Sequence, residues 1–195
     1  LRGDYQEAAE AYRRARGCQD CSAEQGDVLM FNEARMLAKA GSRERALALF
    51  EQQATAFDAR FGQQRSIEQA ALLREMGRRV DAERLLDAVA RDGAASPMAW
   101  LQAGEEFERL GHPSKAEAMF VRAAETVPIA DYLLARLKLL QGDTDPSLQL
   151  LERVAKAQPA EVRRRLREDA DAWQAVARET RYQELCSAPS ATPGR

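Results

Sequence analysis

Apolar side chains recur along the chain at the spacing of amphipathic helices, in segments that short polar turns separate. In the clearest segment, residues 97–128, two apolar faces of helical period flank the turn Gly111-His112-Pro113. Ser96 and Pro97 are typical of a helix start, as an N-cap and as the first helical residue. The segment therefore predicts a helix, a turn and a second helix. Small residues are expected where the two helices come closest and large ones around them, namely Gly104, Ala116 and Ala123, and Trp100, Phe107 and Phe120.

The same arrangement recurs around other glycines. An alanine follows each of four glycines by five residues, and apolar residues follow by eight and nine. The separations between successive glycines drift from 38 to 36, 34 and 31 residues once a weaker fifth copy is included. Insertions are therefore expected in the turns between helix pairs. The five copies are Gly3 with Ala8, Ala11 and Tyr12; Gly41 with Ala46, Leu49 and Phe50; Gly77 with Ala82, Leu85 and Leu86; Gly111 with Ala116, Met119 and Phe120; and Gly142 with Ser147, Leu150 and Leu151.

Helical periodicity extends on both sides of this segment. Beyond Pro159, residues 161–185 carry one further apolar stripe, with a potential break near Thr180. The residues from Ser187 onward are rich in Ser, Ala and Pro, which is typical of a flexible tail. The other predicted helices span residues 4–16, 27–40, 43–57, 63–76, 80–91, 128–140 and 146–157.

Composition narrows the class of protein. The chain has 195 residues, of which 45% are hydrophobic, so it can bury a core and is not expected to be disordered. Its 29 basic and 31 acidic residues leave a net charge of -2, which gives no overall attraction to nucleic acid or an anionic membrane. No apolar run approaches the roughly 20 residues that span a bilayer, and the start does not resemble a signal peptide. We expect a soluble, cytoplasmic chain without membrane insertion.

Cys18 and Cys21 form a Cys-x-x-Cys pair between two predicted helices. A zinc site would need two more ligands, and Cys186 and His112 are far along the chain. A redox pair of the thioredoxin type needs a sheet that this sequence does not predict. The sequence favours small packing residues or an incidental local disulfide. Metal binding and redox chemistry remain open as alternatives, and no metal or cofactor is expected.

Other candidate chemistry is weak. The cluster Arg163-Arg164-Arg165-Leu166-Arg167 has acidic neighbours, so pairing within the helix is expected rather than nucleic-acid binding. His112 is the lone histidine and is expected to be exposed in a turn, without a nucleophile or carboxylate pair. The sequence contains no phosphate-binding glycine loop, Gly-x-Ser-x-Gly or paired-histidine motif. The chain is therefore not expected to be an enzyme.

The repeating unit that contains this helix-turn-helix segment is 34 residues long. Its residues Trp100, Gly104, Ala116 and Pro128 resemble the pattern of the tetratricopeptide repeat (TPR). The resemblance covers residues 3–158 and implies an all-α, right-handed α-solenoid of stacked helix pairs. Because Leu1 falls just before the first turn glycine, we expect the chain to be part of a longer protein. The implied organisation is the second helix of a truncated repeat with a linker (1–22), about four helix pairs (23–159), a capping helix similar to those of many bacterial members (160–186) and a flexible tail (187–195).

The resemblance also implies where a partner binds, because the first helices of TPR pairs line the concave face of the solenoid. The fifth position of those helices is apolar in every pair and predicts an exposed stripe, although some of these side chains could instead pack on the second helices. Family members that grip a C-terminal carboxylate have Lys at the fifth and Asn at the ninth position, whereas this sequence has Phe31 and Arg35. The candidate partner-binding residues are Phe31, Arg35, Lys39, Ile67, Arg74, Leu101, Glu105, Tyr132 and Arg136.

Two classes of function follow from this resemblance. The first is a scaffold or adaptor module that binds a partner protein or peptide in the groove. The alternative is a regulatory or sensory domain of a larger signalling enzyme, in contact with a region that precedes Leu1. Both rest on the architecture rather than on a catalytic motif.

Overall fold

The computed structural model describes residues 2–18, 21–52 and 62–187. Within these ranges every regular element is helical and none is a strand, so the predicted all-α class is confirmed. No described helix is both long enough and apolar enough to cross a membrane. The helices are α1 (Arg2–Arg16), α2 (Ala23–Lys39), α3 (Arg43–Gln52), α4 (Gly62–Glu75), α5 (Arg79–Arg91), α6 (Pro97–Arg109), α7 (Pro113–Ala124), α8 (Ile129–Leu140), α9 (Thr144–Ala157), α10 (Pro159–Glu168), a 3-10 helix (Ala170–Val176) and α11 (Thr180–Ser187).

Four of the five predicted turn glycines end a helix in the left-handed conformation. Gly41, Gly77, Gly111 and Gly142 have φ of 86°, 79°, 80° and 88°, which side chains with a Cβ rarely adopt. The residue after each glycine donates its N–H to a carbonyl five residues earlier, as in His112 to Phe107 at 2.9 Å. This is the hydrogen bond of a Schellman helix end. The prediction for Gly3 is wrong, because Gly3 lies inside α1 and has no positive φ.

Small residues mark the contact between the two helices of each pair. Seven residues before each left-handed glycine stands a buried Ala or Gly, and five residues after it a buried Ala or Ser. In the last pair the Ser147 hydroxyl donates to the Ala135 carbonyl at 2.7 Å, so its polar atom is satisfied inside the contact. The predicted close approach at Gly104 and Ala116 is therefore present. The two sets are Ala34, Ala70, Gly104 and Ala135, and Ala46, Ala82, Ala116 and Ser147.

The chain divides into two compact units, Leu1–Ala95 and Ser96–Arg195. In the first unit, α1 packs on α2, α2 on α3, α3 on α4 and α4 on α5. A salt bridge of 3.3 Å joins Arg16 of α1 to the buried Glu33 of α2. Ser22 caps α2 in a reciprocal capping box with Gln25. Residues 53–57 of the predicted helix 43–57 lie outside the described residues.

In the second unit, α6 packs on α7, α7 on α8 and α8 on α9, and the C-terminal elements cover α8 and α9. The predicted stripe over residues 161–185 breaks near Thr180 as expected, since the 3-10 helix ends at Val176 and α11 begins at Thr180, but the chain also leaves the α conformation at Asp169, which was not predicted. These breaks let Trp173, Val176 and Tyr182 turn inward, where they are 0%, 1% and 9% exposed. One straight helix could not direct all three at the same neighbours. The predicted tail 187–195 lies outside the described residues except for Ser187, which ends α11.

Candidate functional site

The four apolar residues predicted to form an exposed stripe are buried. Phe31 and Ile67 are each 5% exposed, Leu101 is 7% exposed and Tyr132 is 0% exposed. Phe31 packs edge-on against Phe50 of α3, with ring centroids 6.0 Å apart. The prediction of an exposed apolar stripe is therefore wrong, because these side chains pack in the cores of the two units.

Tyr132 lies in a buried polar contact that joins α8 to the C-terminal elements. Its hydroxyl donates to Asp169 at 2.9 Å and accepts from the Trp173 indole N–H at 3.1 Å. The rings of Tyr132 and Trp173 lie 5.7 Å apart, and Trp173 stacks on Tyr182 at 6.1 Å. Burial is the main cause that raises the pKa of Tyr132 well above its usual range. Tyr132 is thus a hydrogen-bonded anchor of the C-terminal segment.

Arg136 extends the same contact by one helical turn. Its guanidinium donates to both carboxylate oxygens of Glu108 on α6, at 3.1 and 2.8 Å, and lies 3.7 Å from Asp169. The Arg165 guanidinium lies 5.7 Å from the centroid of the Tyr132 ring. This cluster was not predicted from the sequence. The available signal was a tyrosine at a core position, whose hydroxyl needs a buried partner.

In the first unit, Arg35 keeps an accessible charge. Its Nε lies 3.0 Å from Glu68 of α4, and its guanidinium lies 5.7 Å from the centroid of the Phe31 ring. The Arg35 side chain is 34% exposed. The buried ring of Phe31 therefore packs beneath the Arg35 guanidinium and is not itself part of the accessible surface.

The remaining polar candidates are at least partly accessible. Lys39 is exposed and its ammonium lies 5.6 Å from the centroid of the Tyr5 ring on α1. Arg74 on α4 and Glu105 on α6 are half-buried. Arg35, Lys39 and Arg74 thus belong to the first unit, and Glu105 and Arg136 to the second.

Two of the four arginines in the cluster on α10, Arg164 and Arg165, pair with carboxylates of their own helix. Arg164 donates to Glu161 at 2.6 Å and to Glu168 at 2.6 and 2.7 Å, and Arg165 donates to Glu161 at 2.8 Å. Hydrogen bonds from Arg164 and then Arg165 lower the pKa of Glu161 to about 2. The predicted pairing within the helix is confirmed for Arg164 and Arg165.

His112 and Cys18 differ from the expectations, whereas Cys21 is partly buried as expected for a packing residue. His112 is half-buried, and its ring meets Phe107 edge-on at 6.5 Å. Cys18 is exposed and Cys21 half-buried, and both are free thiols, so packing does not account for Cys18. The two cysteines line one open surface pocket of about 460 Å³ between α1 and α2. The spacing of the thiols is visible in the sequence, but this shared pocket is not.

Comparison of the sequence with models of known protein families and with curated proteins finds no match.

Proposed function

We propose that the chain is an interaction module built of TPR-like helix pairs, stacked as a right-handed α-solenoid, which binds a partner protein or peptide. Support for the repeat comes from the register shared by the four pairs. In each pair a left-handed glycine, a small residue seven positions earlier and a small residue five positions later occur together. The same register lies behind the sequence resemblance to TPR proteins.

The observation that carries the binding role is the placement of Arg35 on the first helix of a pair. Its guanidinium forms an ion pair with Glu68 and lies over the ring of Phe31, while a third of the side chain remains accessible. An arginine that is already oriented loses less side-chain entropy when it binds a carboxylate or backbone carbonyl. Lys39, one turn further along α2, adds a second accessible positive charge. The proposed partner segment is therefore acidic or rich in accessible carbonyl groups.

The proposed source of affinity differs from the one expected from the sequence. Phe31, Ile67, Leu101 and Tyr132 are buried, so they support the fold and are not offered as contacts. Arginine is among the residue types that dominate binding energy when they become desolvated in an interface. The accessible charged side chains of α2 in the first unit, Arg35 and Lys39, are therefore proposed as the recognition surface.

The test begins with affinity capture on the full chain and mass spectrometry, and each captured protein is then measured by calorimetry. Arg35→Ala should lower the affinity for a true partner by roughly 30-fold, which corresponds to the loss of about 2 kcal/mol of binding free energy typical of a hot spot. The effect should shrink as salt rises, because screening acts over about 8 Å at physiological ionic strength.

Arg84→Ala is the matched control. Arg84 lies on α5, a second helix of the same unit, where its side chain is 75% exposed and pairs with Asp81 at 3.2 Å. It should leave both binding and the melting temperature unchanged. An equal loss of binding in the two variants would indicate non-specific charge attraction. Unchanged binding of Arg35→Ala would refute the proposed surface.

A further inference from the structure

We propose that Cys18 and Cys21 form a two-coordinate thiolate site for a soft monovalent metal ion such as Cu(I). The site lies at the junction of α1 and α2, on described residues that the proposed recognition surface does not use. It is therefore independent of partner binding.

The junction between the helices brings the two cysteines together. Cys18 stands two residues after the last residue of α1, and Cys21 directly precedes Ser22, the N-cap of α2. The Cys21 N–H donates to the Cys18 carbonyl at 3.2 Å. A hydrogen bond of this length holds the Cα atoms of the two cysteines within about 7 Å of each other. A direct S–S bond already spans Cα atoms up to about 6.8 Å apart, and an ion placed between the two sulfurs extends that reach, so one ion can contact both thiolates.

Both flanks of the pair are fixed. The capping box between Ser22 and Gln25, with bonds of 3.2 and 3.0 Å, sets where α2 begins. The salt bridge from Arg16 to the buried Glu33 holds the end of α1 against α2. A ligand pair supported in this way loses little freedom when it binds an ion.

The pocket that both thiols line favours a soft ion over a hard one. Ala15, Val28 and Leu29 offer no side-chain oxygen to replace the water around a hard cation, and the side-chain oxygen of Gln25 already accepts from the Ser22 N–H. Glu24 also lines the pocket, yet among the described residues no three His, Cys, Asp or Glu side chains are grouped to hold a metal. Zinc prefers four ligands, whereas thiolates select Cu(I) and two of them suffice for linear coordination.

The binding step involves no change of oxidation state. Each thiol loses its proton, the two thiolates donate electron pairs to one Cu(I), and two protons pass to the solvent. Any weakly held ligand that delivered the ion leaves with its own electron pair. Affinity is gained because the second thiolate binds within the same molecule once the first has bound.

The test uses the full chain, reduced and free of oxygen, with Cu(I) presented by a chromophoric chelator. The reduced chain should withdraw one equivalent of Cu(I) from the chelator. Cys18→Ser and Cys21→Ser should each weaken binding by on the order of 100-fold or more, because bivalent attachment exceeds single attachment by about 10² to 10⁴. Cys186→Ser is the matched control, since Cys186 is an exposed free thiol on α11 in the other unit. It should bind as tightly as the unaltered chain.

A second measurement does not depend on a substitution at the pair. Alkylation of the folded Cys186→Ser chain modifies Cys18 and Cys21 alone, because the sequence has three cysteines. It should abolish tight Cu(I) binding without changing the helical circular dichroism. The proposal is overturned if the reduced chain leaves the chelator loaded, if Cys186→Ser removes the binding, or if either single variant at the pair retains it.

Discussion

Gly104 is where the helix contact of a pair can be tested most directly. A Cβ placed on Gly104 would lie 2.6 Å from Cε1 and 2.7 Å from Cδ1 of Phe120, and 3.2 Å from Cβ of Met119. Phe120 is 0% exposed, so its ring has no solvent into which it can move. Gly104→Ala should therefore force the two helices of the pair apart or displace a buried ring.

The expected magnitude combines two opposing effects. Replacing Gly by Ala within a helix is worth about 1 kcal/mol of helix propensity. Overpacking a well-filled contact costs about 1–3 kcal/mol. Gly26 isolates the first effect, because it lies in α2 and a Cβ built there meets no atom within 4 Å. The difference in unfolding free energy between Gly104→Ala and Gly26→Ala should therefore equal the overpacking cost of about 1–3 kcal/mol.

Urea unfolding followed by circular dichroism gives both free energies. Tryptophan fluorescence adds a report on the second unit, since Trp100 and Trp173 both lie there, as does Gly104. Gly104→Ala should lower the fluorescence midpoint, and Phe120→Leu in the same chain should cost less than it does alone because the smaller side chain relieves the overlap. If Gly104→Ala proved as stabilising as Gly26→Ala, the close contact would not exist and the register of the pairs would be wrong.

Three further predictions concern the second unit. Tyr132→Phe should lower the unfolding free energy by about 1–3 kcal/mol, because the buried Trp173 N–H loses its acceptor, and urea unfolding measures it. The pKa of Tyr132 is higher in the folded than in the unfolded chain, so the contribution of its hydroxyl to the free energy of unfolding is intact below the unfolded pKa of about 10 and falls by about 1.4 kcal/mol per pH unit above it. The loss of stability at alkaline pH should therefore be less steep in Tyr132→Phe. Arg153→Met should cost about 1 kcal/mol or somewhat more, since Asp131 is buried and accepts from Arg153 at 2.6 Å while the arginine is 64% exposed. Arg164→Met removes an arginine whose partners are accessible, so it should lower the unfolding free energy less in the same urea unfolding assay.

The sequence predicts the helix pairs well because their signals are local. A glycine at a helix end is required by backbone geometry, and it recurs with small residues at fixed distances in four pairs. Gly3 shows the limit of this signal. A glycine is tolerated inside a helix at a cost of about 1 kcal/mol relative to alanine, so an alanine five residues later does not by itself mark a helix end. Gly3 accordingly lies within α1.

The candidate site was predicted less well because burial depends on contacts between distant segments. The helical period places Phe31 and Tyr132 on one face of their helices but does not say what covers that face. Phe50 lies against Phe31, and Trp173, 41 residues further along the chain, donates to Tyr132. No glycine or proline lies near Asp169, so the sequence does not predict the helix break that allows this contact.

The fifth and ninth positions of the first helices therefore have different structural roles in the two units. In the first unit the fifth and ninth positions hold Phe31 and Arg35, and the aromatic ring supports a guanidinium that stays accessible beside Glu68. In the second unit the same positions hold Tyr132 and Arg136, whose hydroxyl and guanidinium meet Asp169 in the C-terminal segment. A charged position can serve an external partner only where the chain's own terminal segment does not satisfy it. The proposed recognition surface is therefore confined to the Arg35 side of the first unit, whereas Tyr132 and Arg136 contact the C-terminal segment.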